Sequence, residues 1–219
     1  MKKLWLSFLF IVCVLCSNVY ARDVNVDLEI YYKLKESAVS LSIYDDKGNG
    51  YLCSGIIIME NQYSTGILTA KHCIPDNTDK IFINDKYRAT KYIVADDIDV
   101  AYVELGESLL RGNPIKISSH NAKRNSYVYY MGYPSPGEKF EIGIVTWSGL
   151  KSQNVFMDSI PGCSGSGIVN TNSELVGILW GSGDIYYFNT KMHLVGMTPI
   201  EKIKPFLIKL KIWNSILVR

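Results

Sequence analysis

Charge bias is nearly absent from this chain: 23 basic residues stand against 21 acidic ones, a formal net charge of +2, and the two signs are scattered. A nucleic-acid binder needs a basic face to neutralise phosphates, so nucleic acid is set aside as a partner. Histidine is scarce, at three residues, and His120 and His193 have no companion at metal-ligand spacing; no metal and no other cofactor is expected. Helical periodicity is almost missing, as are repeats, low-complexity tracts and any second apolar span after the N-terminal one. The 219 residues leave room for one compact unit or two small apposed barrels, and for no separate peptide-binding domain after them.

What is present begins with Met1-Lys2-Lys3, an apolar run from Leu4 to Leu15, and Val19-Tyr20-Ala21 where a signal peptidase reads small or modest side chains. This pattern predicts a secretory signal over 1–21 and a secreted or periplasmic protein. Its removal takes away Cys13 and Cys16 and leaves Cys53, Cys73 and Cys163, one pair and one odd thiol in a compartment where disulfides persist. Cys53 and Cys73 enclose about 20 residues, and a bridge there would stabilise by about 3 kcal/mol on the loop-entropy model, although spacing alone does not assign the pair.

After an N-terminal extension over 22–37, short apolar or alternating segments are punctuated by Gly, Asp, Asn and Pro clusters, the pattern of an all-β protein. Six strands are predicted over 38–110: Ala38 to Ile43, Tyr51 to Met59, Thr65 to Ala70, Ile81 to Ile83, Tyr87 to Ala95 after an Asn84-Asp85 turn, and Val100 to Leu105. The polar, Gly- and Pro-bearing stretch from Gly106 to Pro114 divides this half from a second strand series over 111–197. Over 198–219 the pattern turns helical. Thr198-Pro199-Ile200-Glu201 has capping-box spacing with proline at the first helical position, and Ile203, Phe206, Leu207, Leu210 and Trp213 recur on one face. Pro205 is expected to kink or interrupt that helix, whose apolar face is assigned to packing on the second half in preference to a membrane surface.

The chemistry is concentrated in Pro161-Gly162-Cys163-Ser164-Gly165-Ser166-Gly167. Glycines around a serine let backbone approach a reacting atom closely. A serine hydroxyl is a weak nucleophile until a base takes its proton and donors meet the oxyanion. A histidine stands upstream in Thr69-Ala70-Lys71-His72-Cys73, and an aspartate opens Asp99-Val100-Ala101-Tyr102-Val103, so the chain order is His, Asp, Ser. Neither Ser164 nor Ser166 fits the Gly-x-Ser-x-Gly elbow, because each has serine rather than glycine at one of the two positions. That absence and the residue order exclude an α/β-hydrolase, and with it the esterase reading.

Together these motifs resemble those of the chymotrypsin-like (trypsin-fold) serine proteases, in particular compact bacterial members, over about Val39 to Leu207. Cys53-Ser54-Gly55 through Leu68-Thr69-Ala70-Lys71-His72-Cys73 is similar to the family's histidine motif with its bridging cysteines, and Asp99-Val100-Ala101 to its aspartate motif. Pro161 to Asn170 is similar to its serine motif, in a register that places Ser164 at the nucleophile position and Cys163 just before it. The resemblance implies two antiparallel six-stranded β-barrels with a C-terminal helix and a polypeptide substrate. It further implies His72 as base and acid, Asp99 as its orienting partner, Gly162 and Ser164 N–H groups as the oxyanion hole, and a Cys53–Cys73 bridge. Trypsin's own aspartate before the serine and its Ile-Val-Gly-Gly start are both missing, so activation through that ion pair is not expected. Whether 22–37 is a pro-segment stays open, and nothing in the sequence bears on oligomeric state.

The resemblance also puts Asp158 six residues before Ser164, at the base of the specificity pocket, with Gly181 and Gly183 on its wall. Two outcomes remain at this point, a preference for Arg or Lys and a preference for small or apolar side chains. A non-catalytic protein of the same fold that binds peptides or a partner is the competing function.

Overall fold

The computed structural model describes residues 23–109, 113–149, 152–187 and 190–212. The signal assigned to 1–21, and Trp213 with the end of the C-terminal segment, lie outside the described residues. The protein is built from two β-sheets, and strand existence and order follow the alternation of the sequence closely.

The first sheet contains β1 (Ala38–Asp45), β2 (Gly50–Asn61), β3 (Ser64–Thr69), β4 (Thr78–Ile83), β5 (Tyr87–Arg88), β6 (Lys91–Val94) and β7 (Ala101–Leu105), in the order β5-β4-β1-β2-β3-β7-β6. The run from Tyr87 to Ala95, expected as one strand, is two. Arg88 pairs with Phe82 on β4 and Ala89 N–H donates to Ile81 O, but Thr90 N–H donates to Glu104 O, and Lys91 pairs with Glu104 on β7. One segment thus serves both ends of the sheet, which is why the first half is a curled half-barrel. Asn84 and Asp85 both have positive φ, 52° and 55°, the geometry that a two-residue hairpin turn demands.

The second sheet contains β8 (Lys116–Ile117), β9 (Tyr127–Gly132), β10 (Lys139–Ser148), β11 (Gln153–Phe156), β12 (Gly167–Val169), β13 (Glu174–Tyr187) and β14 (Thr190–Pro199). Its order is β12-β9-β10-β11-β14-β13-β8, and the additional β12–β13 pairing closes β9 to β14 into a six-stranded barrel. Along β9 the side chains alternate between two cores. Val128 and Tyr130 enter the barrel with Val145, Val155, Ile168 and Val195, while Tyr129 and Met131 join the larger cluster that fills the first sheet and the seam between the sheets. A strand buried on both faces reads as a continuous apolar run, as Tyr127 to Gly132 does.

Two helices flank the sheets. The first, α1 (Val24–Ser37), arises from a stretch where no helix was predicted. Asp23 caps it by accepting from Asn25 N–H at 2.9 Å, and its buried positions are Asp27, Ile30, Leu34 and Ser37. The spacing is helical, but two of those four side chains are polar, which blanks the hydrophobic signal. They are buried because they have partners. Tyr129 Oη donates to Asp27 at 2.9 Å, and Ser37 Oγ donates to Lys33 O and Asn113 O.

The C-terminal helix, α2 (Ile200–Lys209), corrects two expectations. Pro199 is the cap rather than the first helical residue, because Thr198 and Pro199 still pair with Ile178 and Gly177 on β13. The cap comes from elsewhere in the chain, with Asn121 Oδ1 accepting from Glu201 N–H at 3.0 Å and Asn121 Nδ2 donating to the Glu201 carboxylate. The helix also runs unbroken through Pro205. Its face of Ile200, Ile203, Phe206 and Leu207 packs into the larger core alongside β13 and β14. No helix among the described residues is long and apolar enough to cross a membrane.

Candidate active site

His72 sits in a 3₁₀ turn, Lys71–Cys73, at the end of β3. Three ties set that turn. Cys73 is bridged to Cys53 on β2, with Cα atoms 6.2 Å apart. Lys71 Nζ donates to Ala95 O at 2.7 Å, reaching the loop after β6, and from that loop Asp99 takes hold of the histidine itself. The Asp99 carboxylate accepts from His72 N–H at 2.9 Å through Oδ1 and lies 2.7 Å from His72 Nδ1 through Oδ2. A carboxylate accepts only, so Nδ1 carries the proton and Nε2 is left as the basic atom of the ring. Burial pushes the Asp99 carboxyl upward, but the hydrogen bonds from the His72 ring and backbone outweigh it and hold the group below the usual carboxylate range. Asp96 and Asp97 take no part in this contact; Asp96 is exposed and paired with Lys209 at 2.9 Å.

Ser164 lies on the loop between β11 and β12, which is folded as two consecutive turns. Cys163 N–H donates to Ile160 O and Ser166 N–H to Cys163 O, both at 3.1 Å, with Gly162 (φ 98°) and Gly165 (φ 87°) at the third position of each turn. Only glycine takes that conformation without cost. Space demands it as well. A Cβ on Gly165 would stand 2.1 Å from Thr69 Oγ1 and 2.2 Å from Ser54 O, because the loop is pressed against the strands that lead to His72. Ser54 N–H donates to Ser164 O at 2.8 Å, and Cys73 Sγ, next in sequence to His72, is 3.7 Å from that same oxygen.

From Gly162 to Ser166 the N–H groups fall into two sets. Those of Cys163, Gly165 and Ser166 are spent on backbone carbonyls, while among the described residues those of Gly162 and Ser164 donate to nothing. No hydrogen bond joins Ser164 Oγ to His72 among the described residues. Ser164 is partly exposed, whereas Cys163 and Ser166 are fully buried, Cys163 in the core of the second barrel. Cys53 and Cys73 form the disulfide and Cys163 is free, as the motifs implied.

The region of Asp158 differs from a lone buried carboxylate. Its side chain is 57% exposed and accepts from Lys139 Nζ at 2.8 Å, a bond that depresses its pKa. Lys139 is itself mostly buried and also donates to Glu141 at 2.7 Å; burial alone would lower its pKa, but these two carboxylates raise it. His193 Nε2 lies 3.9 Å from Asp158 and its Nδ1 2.9 Å from Asp184. Gly181 and Gly183 on β13 have nothing within 4 Å of where a Cβ would be. Neither Lys139 nor His193 was singled out for this place, since 19 and 35 residues separate them from Asp158 and only the barrel brings them together. Among the described residues no group of three His, Cys, Asp or Glu side chains could hold a metal ion.

The model of the trypsin-like peptidase domain matches residues 53–178, more than half of the chain and the span holding His72, Asp99 and Ser164. The chain belongs to the trypsin-like peptidases. Among solved structures the peptidase is similar to the active form of the Rv3671c protease from M. tuberculosis, with a TM-score of 0.69 at 15% identity, covering 86% of each chain. It is also similar to a serine endoprotease from Yersinia pestis, with a TM-score of 0.62 at 20% identity, over 85% of this chain and 66% of that one. Identities this low speak for the double-barrel fold. No curated protein sequence matches.

Proposed function

We propose that this trypsin-like peptidase is an exported serine endopeptidase that hydrolyses peptide bonds through an acyl-enzyme on Ser164. His72 Nε2 takes the Ser164 proton as the hydroxyl attacks the carbonyl carbon, and returns it to the leaving amine when the C–N bond breaks. Asp99 holds the tautomer that makes this possible and stabilises the imidazolium that forms. The Gly162 and Ser164 N–H groups receive the oxyanion, a donor of this kind being worth about 3 kcal/mol in comparable sites. Water then attacks the acyl-enzyme with His72 again as base. The N-terminal segment and the Cys53–Cys73 bridge support export.

The observation that carries this reading is that the Gly162 and Ser164 N–H groups are without acceptors among the described residues while those of Cys163, Gly165 and Ser166, which alternate with and follow them, are all bonded. An amide left without an acceptor costs free energy unless solvent or a ligand satisfies it. Two of them flanking the residue before Ser164 suit a reaction that develops negative charge there.

The test is covalent labelling by a fluorophosphonate, read by peptide mass mapping alongside cleavage of a denatured protein substrate. Labelling confined to Ser164, and loss of both labelling and cleavage in Ser164→Ala, is the expected result. An unlabelled and inactive wild type assigns the fold to peptide or partner binding instead. For specificity, Asp158 is already engaged by Lys139, so small or apolar side chains are favoured before the cleaved bond over Arg or Lys, with Gly181 and Gly183 leaving the wall open.

A further inference from the structure

A loop that is to offer two N–H groups to one oxyanion has to be held in that shape before substrate arrives, since reorganisation during the reaction would cost rate. In this chain the residue before the nucleophile position is a buried cysteine, which offers no charge for an ion pair to grip. The loop is gripped by a hydroxyl from the other sheet. Ser54 on β2 has no exposed surface, and all its polar groups are engaged. Its Oγ donates to Gly162 O at 2.8 Å and accepts from Tyr133 N–H at 2.8 Å. Its N–H donates to Ser164 O, and its carbonyl accepts from Thr69 Oγ1 at 2.7 Å.

These contacts fall on particular peptide planes. Gly162 O and Cys163 N–H are the two ends of one peptide group, the one that lies between the two free amides. Ser54 Oγ holds the first and Ile160 O the second, so that plane cannot turn. The next plane but one, from Ser164 O to Gly165 N–H, is held in the same way by Ser54 N–H and Leu179 O. Pro134 closes the remaining side, its Cα only 2.8 Å from where a Gly162 Cβ would stand.

We infer that Ser54 is the positioning residue of the oxyanion loop, its hydroxyl acting as a latch between Tyr133 and Gly162 that keeps the Gly162 and Ser164 N–H groups convergent without a newly cut N-terminus. The inference rests on the serine-peptidase reading above.

The experiment compares Ser54→Thr with Ser54→Val, which share a shape and differ in the hydroxyl, together with Ser54→Ala. Ser37→Ala is the control, a buried serine whose hydroxyl bonds to Lys33 O and Asn113 O. Measured are kcat, KM, the Tm, and affinity for a peptide boronate, whose tetrahedral adduct on Ser164 needs the oxyanion donors. Valine and alanine at 54 should lower kcat and boronate affinity by about 10-fold or more with KM little changed, while threonine retains most of both. Ser37→Ala should lower the Tm and leave kcat and boronate affinity intact. The latch is overturned if the valine and threonine variants behave alike, or if kcat in the position-54 variants falls only as far as in Ser37→Ala at equal loss of Tm. A wild type that neither labels nor cleaves removes the peptidase reading and the latch together; an active wild type with an equally active Ser54→Val removes the latch alone.

Discussion

Replacing Cys53 and Cys73 together by alanine isolates what the disulfide contributes to the site and to stability. The bridge spans 20 residues, covering most of β2, all of β3 and the turn that carries His72. For a loop of that size the chain-entropy model gives about 11 cal/mol/K, or about 3 kcal/mol at 25 °C. Both sulfurs are buried, Cys53 at 6% and Cys73 at 2% exposure, so their loss from the core adds to that figure. In a chain of this length 1 kcal/mol moves the Tm by about 2–4 °C, so the double variant should melt roughly 6–12 °C lower. Its kcat should fall by less than about 10-fold, because Lys71 on Ala95 O and Asp99 on the His72 ring and N–H still hold the turn. Calorimetry with a peptide turnover assay reads both quantities, and mass spectrometry of the non-reduced protein should find one linked peptide pair with Cys163 free. A Tm within 2 °C of wild type, or any linkage through Cys163, would refute the reasoning.

Asp99→Asn should erase most of kcat and also change the acid limb of stability. The folded pKa of Asp99 is depressed, so its contribution is present above the unfolded value near 4 and is lost as pH falls through the folded value. The stability difference between wild type and Asp99→Asn in urea should therefore shrink as pH drops below about 4; a gap that widens in acid contradicts the assignment. Lys139→Met leaves Asp158 without its partner and should raise the Arg-over-Ala ratio of kcat/KM in matched chromogenic peptides. An unchanged ratio means that Asp158 does not face the substrate. Leu34→Ala, at a fully buried position of α1, should cost about 2–5 kcal/mol in urea denaturation. A cost under 1 kcal/mol would mark 22–37 as a separable pro-segment.

Strand alternation and glycine placement were enough, without coordinates, to indicate two β-units and the glycine-shaped loop at Ser164, both local signals, while the His72–Asp99 pairing and the Cys53–Cys73 bridge were implied by the family resemblance of the motifs. Glycine is demanded where φ is positive, alternation marks a half-buried strand, and a run such as Tyr127 to Met131 marks one buried twice. The helix α1 escaped because Asp27 and Ser37 are polar residues on its buried face, and their partners, Tyr129 and Asn113, lie 102 and 76 residues away. The α2 cap escaped for the same reason, since Asn121 supplies it from 80 residues upstream. The splitting of Tyr87 to Ala95 into β5 and β6 depends on which strand each half meets, and no local propensity encodes that. At the site, the resemblance assigned Asp158 to the specificity pocket, but only the closed barrel brought Lys139 and His193 beside it. Ser54 is the clearest case. It stood inside the histidine motif as an ordinary strand residue, and its hold on Gly162 exists only because the fold brings β2 against the loop before β12, since a hydrogen bond is set by the distance between atoms in space and not by their separation along the chain.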